Sequence, residues 1–97
     1  MIIREIDGKE YKLAITRRGL REAEKQGMKF DDFTSKPLSM LYYLWYAALY
    51  ANHPMTMAKS DALLDSYLDS PDCPEDISTL LEALSDEFSS VFGSAVE

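Results

Sequence analysis

The residues able to do chemistry in this chain are few and stand apart. Its one histidine, His53, lies in the string Asn52-His53-Pro54, with no serine or cysteine arranged around it in a recognisable nucleophile motif. A solvated loop histidine is expected there rather than a general base. The one cysteine, Cys73, stands at an expected helix start, where the helix dipole could lower a thiol pKa; with no partner in a motif it reads as structural. A single Cys and a single His make neither an internal disulfide nor a zinc site of Cys/His type. Asp61, Asp65 and Asp69 recur at i, i+4 and i+8. They are expected to form a solvated acidic face, because the Asp-x-Asp-x-Asp-Gly loop of calcium-binding hands is absent. The four glycines, 8, 19, 27 and 93, are scattered and build no phosphate-cradling loop. The expectation is therefore no catalytic residue, no cofactor-binding residue and no metal ligand, in a protein that is not an enzyme.

Ninety-seven residues suffice for one domain, 1–97, with one modest core. A cleft between lobes and a nucleotide-binding α/β fold are both too large for the chain. Seventeen acidic and ten basic residues set the net charge at −7, which disfavours phosphate backbones and hence nucleic acid. The charge is uneven. Residues 1–30 carry eight basic and five acidic residues, a net of +3; residues 31–97 carry two lysines and twelve acids, a net of −10. Such asymmetry suits head-to-tail pairing of copies, and equally an ordinary solvated surface. The opening residues lack the apolar stretch of a signal peptide, and a reducing cytoplasm is expected.

Periodicity predicts an α+β, mostly α, fold: an N-terminal β-hairpin packed on about four helices. Asp7-Gly8 between alternating runs predicts a hairpin over about 2–15, pairing Ile6 with Lys9, Arg4 with Tyr11 and Ile2 with Leu13. Ile2, Ile6, Tyr11, Leu13 and Ile15 then share the core face. Thr16 caps and Gly27 stops a helix over about 17–26, whose Arg18, Arg21 and Lys25 form a basic stripe. That stripe is a candidate for self-association, and a weaker one for phosphate. Phe30 and Phe33 follow in a loop and are expected to plug into the core. Ser35 and Pro37 open a second helix, about 36–51. Thr56 opens a third, about 57–69, with Leu63, Leu64, Tyr67 and Leu68 inward. A fourth, about 73–92, carries Ile77, Leu80, Leu81, Leu84, Phe88, Val91 and Phe92 at amphipathic spacing. Residues 93–97 are expected to fray.

The helix over 36–51 is the informative one. From Leu38 to Ala51 it carries no charge. Leu38, Leu41, Tyr42, Trp45, Ala48 and Leu49 cluster on one side as core. Tyr43, Tyr46 and Tyr50, with Met40 nearby, are left over as a candidate partner-binding stripe, since tyrosine suits a surface that is wet when free and dry when bound. The alternative is that this helix is the central one, wrapped on all sides. A membrane span would need about 20 apolar residues, more than this run supplies.

The order of elements, together with the strings Ile6-Asp7-Gly8-Lys9-Glu10-Tyr11-Lys12-Leu13, Thr16-Arg17-Arg18-Gly19-Leu20-Arg21-Glu22-Ala23-Glu24 and Asn52-His53-Pro54-Met55-Thr56, resembles the small tail assembly chaperones of long-tailed bacteriophages and prophages. The resemblance covers nearly the whole chain. Arg-Arg-Gly in a first helical turn and Lys59 in place of a capping glutamate depart from an ideal pattern. The resemblance implies a non-enzymatic role in the bacterial cytoplasm, absent from the mature virion: coating the tape measure protein and keeping it soluble until the major tail (tube) protein polymerises around it. It also implies a homo-oligomer, and in many relatives a longer frameshifted form that recruits the tube protein. Exposed apolar surface, adaptable methionines at 40, 55 and 57, and the solubilising charge of −7 fit such a role. The alternative is a small acidic regulatory module that docks on a host protein by imitating the charge of DNA.

Overall fold

A computed structural model describes the backbone of residues 1–29 and 31–96 and the side chains of 1–29 and 31–89. The described residues form two strands, β1 (Ile2–Ile6) and β2 (Lys9–Leu13), and five helices: α1 (Arg17–Gln26), α2 (Asp32–Ser35), α3 (Pro37–Tyr50), α4 (Met57–Tyr67) and α5 (Cys73–Val96). This is the expected mostly helical fold with a small β part.

The hairpin has the predicted register, Ile2 opposite Leu13, Arg4 opposite Tyr11 and Ile6 opposite Lys9. Its turn places Asp7 at φ 53° and Gly8 at φ 83°, the left-handed pair that matches strand twist in a two-residue loop. Ile6, Tyr11 and Leu13 are buried, while Ile3, Glu5, Glu10 and Lys12 face outward. Arg4 belongs to the inward face, so its charge needs a partner. It finds one on α5: Nε and Nη2 donate to the two carboxylate oxygens of Asp76 at 2.8 and 3.0 Å. The buried Tyr67 hydroxyl on α4 donates to Asp76 Oδ2 as well. This cluster joins β1, α4 and α5. The Asp76 carboxylate, hydrogen-bonded to the guanidinium, holds Arg4 even more firmly protonated than usual. Burial first, and then Asp76, push the Tyr67 phenol up to about 12.

Capping follows the sequence closely at α1. Thr16 Oγ1 accepts the Gly19 N–H at 3.0 Å. At the other end Gly27 takes φ 124°, its N–H donates to Glu24 and that of Met28 to Ala23. This pair of bonds satisfies carbonyls that the helix leaves orphaned, and Met28 is buried beside them. Gly19 has a further role. It is buried against α3, where a Cβ would meet the Ala47 carbonyl oxygen at 2.3 Å. The glycine that weakens the first turn by propensity is what lets α1 lie on α3.

Helix α3 is the centre of the molecule. Leu44, Trp45, Tyr46, Ala47, Ala48 and Leu49 are all buried, and Trp45 stacks on Tyr67 with ring centroids 5.4 Å apart. One core cluster joins Trp45 to the hairpin, α4 and α5; a second joins Tyr46, Ala47 and Met40 to Ala23 and Met28. The exposed end of the α3 hydrogen-bond ladder is closed by the chain itself. Ala14 N–H donates to the Ala48 carbonyl, and Asn52 and His53 N–H groups donate to Leu49.

Several expected boundaries are corrected. Ser35 belongs to the one-turn α2, which the loop reading missed, and α3 opens at Pro37 after Lys36, without a side-chain cap. Helix α4 stops at Tyr67, so Leu68 lies beyond it and is exposed rather than inward. Helix α5 runs through Gly93 to Val96 instead of fraying, because one glycine costs a helix only about 1 kcal/mol. Phe33 packs against both clusters as expected; Phe30 and Glu97, and the side chains of Val91 and Phe92, lie outside the described residues.

Gly19→Ala is expected to lower stability by about 1–3 kcal/mol in a denaturant titration, although alanine favours helix, because the overlap is with backbone. Arg4→Gln is expected to destabilise more than Asp76→Asn. The first strands a buried carboxylate, whereas the second leaves a guanidinium that can swing to water.

Candidate protein-binding surface

The leftover tyrosine stripe is corrected by the fold. Met40 is 2% exposed and Tyr46 3%, both enclosed within one chain, and Tyr43 and Tyr50 are half-buried. The reason is α1, which covers the side of α3 that the hairpin leaves open. Tyr43 lies against Gly27, and its hydroxyl donates to the Gln26 carbonyl at 3.2 Å. The Tyr50 ring lies 5.7 Å from that of Tyr46 and carries the Arg18 guanidinium 5.3 Å above its face. On the other side Tyr42 donates to Asp65 at 2.5 Å, joining α3 to α4. That bond to a carboxylate raises the Tyr42 pKa, with burial adding to it. The tyrosines are therefore fastenings, and the central-helix alternative describes α3.

The other singled-out residues scatter. Arg18, Arg21 and Lys25 form the expected exposed stripe on α1, with Arg18 on Tyr50 and Lys25 bonded to Glu22 at 3.0 Å. Arg17 beside them reaches Glu87 of α5 at 2.6 Å. Of the acidic stripe, Asp61 is half-buried, and burial with Asp65 beside it raises its carboxyl pKa. Cys73 is buried, and burial pushes its thiol up, opposite to what the helix start alone suggests. Among the described residues no three His, Cys, Asp or Glu side chains converge as a metal site.

What the fold does leave open is an apolar groove. Phe33 from α2, Pro37, Leu41 and Leu44 from α3, and Ile77 and Leu81 from α5 enclose about 280 Å³. Every one of these side chains is apolar. Leu81 in its wall is 42% exposed, and Leu38, next in the chain to Pro37, is 66% exposed. Three local features build it. The single turn of α2 sets Phe33 at one wall, and Pro37 starts α3 so that Leu38 points away from the core that was expected to hold it. Helix α5 turns Leu80 and Leu84 inward, which leaves Ile77, three positions before Leu80, and Leu81, one after it, on the rim. The signal in the sequence was an apolar stripe on α5 wider than one contact face uses.

Residues 1–94 match the family model described as Domain of unknown function (DUF5055). The chain belongs to this family. No curated protein and no solved structure matches it. In this DUF5055 chain no helix among the described residues is long and apolar enough to cross a membrane. The groove is concave and wholly apolar, and the short acidic segment just before Phe33 comprises the exposed Asp31 and the half-buried Asp32.

Truncating the enclosed ring and an exposed leucine next in the chain to the groove-lining Pro37 separates the two surfaces. Tyr46→Ala is expected to cost about 3–5 kcal/mol in chemical denaturation, by analogy with other buried aromatics. Leu38→Ala is expected to change stability by less than about 0.5 kcal/mol.

Proposed function

We propose that this chain is a tail assembly chaperone that holds an apolar helical segment of a tape measure protein and keeps it soluble before the tail tube forms. The observation that carries the reading is the all-apolar groove between α2, the start of α3 and α5, set in the segment 31–97 with its net charge of −10. A holding protein must offer oily surface without aggregating itself. Concavity confines the oily contact to a partner's side chains, and like charge keeps loaded copies apart. The order of elements that resembles tail assembly chaperones supplies the identity of the occupant. An amphipathic helix laid in the groove would set its apolar row against Phe33, Leu41 and Leu81, and its basic flanks beside the acidic segment. The reading also includes self-association and residence in the bacterial cytoplasm, outside the finished particle.

Co-expression with a tape measure protein, a long coiled-coil chain, is the direct test. The wild-type chain is expected to co-purify with that protein and move it from the pellet to the soluble fraction. The double variant Leu38→Asp/Leu81→Asp, which alters exposed positions, is expected to keep its circular dichroism spectrum and lose at least tenfold in the amount co-purified. A coiled-coil protein equally soluble without the chain, or a double variant that captures it as well as wild type does, overturns the reading. Capture of a nucleic-acid-binding host protein instead would favour the acidic regulatory module.

A further inference from the structure

A second recess, sharing no residue with the groove, opens where the hairpin turn, the connection between α3 and α4, and one side of α4 meet. It encloses about 390 Å³. Its lining has two characters. Tyr11, Met55 and Leu63 make apolar wall, while Lys9 and Lys59 also line it, with a single acidic residue, Asp7. In a chain of net charge −7 this is a local reversal of sign. Lys9 is drawn over the wall itself, its Nζ lying 5.5 Å from the centre of the Tyr11 ring.

His53 also lines the recess, and the structure decides its tautomer. Its Nε2 accepts the Lys12 backbone N–H at 3.0 Å, and its ring meets Tyr11 edge-on at 5.1 Å. An accepting Nε2 carries no proton, so the neutral ring bears its hydrogen on Nδ1. The loop histidine is thus half-buried and hydrogen-bonded rather than solvated. Burial, and then Lys9 and Lys12, hold its pKa below the ordinary value, as a positive local field requires.

We propose that this recess binds an anionic head group, a carboxylate or a phosphate, carried on a small apolar body. Lys9 and Lys59 hold the charge; Tyr11, Met55 and Leu63 cover the body. The site is independent of the proposed chaperone role, since neither its residues nor its chemistry enters the groove.

As the only histidine of the chain, His53 reports on the recess by NMR of its ring Cε1–H group in the intact protein. Benzoate, phenyl phosphate and benzyl alcohol serve as probes at low salt. A saturable shift with benzoate, phenyl phosphate or both is expected, together with a rise in the His53 pKa when the site is filled. A response to benzoate alone assigns a carboxylate, one to phenyl phosphate alone a phosphoryl group. Lys9→Gln and Lys59→Gln, both at exposed positions, are each expected to weaken binding by about three- to fivefold. Leu38→Asp/Leu81→Asp should bind the probes as wild type does, whatever its effect on capture of the coiled-coil protein. No saturable shift with either anion, an equal response to benzyl alcohol, or wild-type affinity in both lysine variants overturns the proposal.

Discussion

The backbones of α1 and α3 approach so closely that a methyl group on Gly19 would sit 2.3 Å from the Ala47 carbonyl oxygen. Nearly everything else about the fold depends on that approach. Helix α3 carries no charge and offers almost no polar face, so leaving any long side of it in water would be costly. The hairpin, α4 and α5 cover the side centred on Trp45. Only a helix with no side chain at the crossing point can lie low enough to cover the other, and α1 does so with Gly19 and Ala23. Once α1 is seated, Tyr43, Tyr46 and Tyr50 come within reach of Gln26, Gly27 and Arg18. Their polar tips are used to fasten helices together rather than to meet a partner.

The charged groups follow a related logic. Arg4 lies on the inward face of the hairpin, where a charge without a partner would be expensive. Asp76 and Tyr67 meet it from two other elements. Because each element alone would leave a polar group unsatisfied, the cluster favours the single arrangement in which all three are docked. The remaining acidic residues lie mostly outside, among them Asp31 and Asp32 just before Phe33 of the groove.

The candidate surfaces then come from what this packing could not absorb. A chain of this size has few elements with which to cover its apolar side chains. Helix α5 can turn only one stripe inward, and Leu80 and Leu84 take it, so Ile77 and Leu81 stay at the rim with Leu41 and Phe33 opposite. The groove and the cationic recess lie on different elements and differ in chemistry, the one wholly apolar and the other combining ammonium groups with an aromatic wall. Two such surfaces on one small body can serve separate ligands.

Local signals alone determined the hairpin register, from Asp7-Gly8 and the alternation around it, and the ends of α1, from Thr16 and Gly27. They also placed the starts of α4 and α5 and the central role of Trp45. All of these rest on interactions within a few residues, or on a period that one element imposes by itself. Which side of α3 would be covered, and by what, was not local. Gly19 read as a weak helix opener until the position of Ala47 gave it a purpose, and Tyr46 read as surplus until α1 lay across it. The partners of Arg4 and of His53 stand 72 and 41 residues away in the chain, and the groove draws on three helices. A contact between distant segments has no period or cap to announce it, so only the tertiary packing decided which oily and which charged side chains remained for a partner.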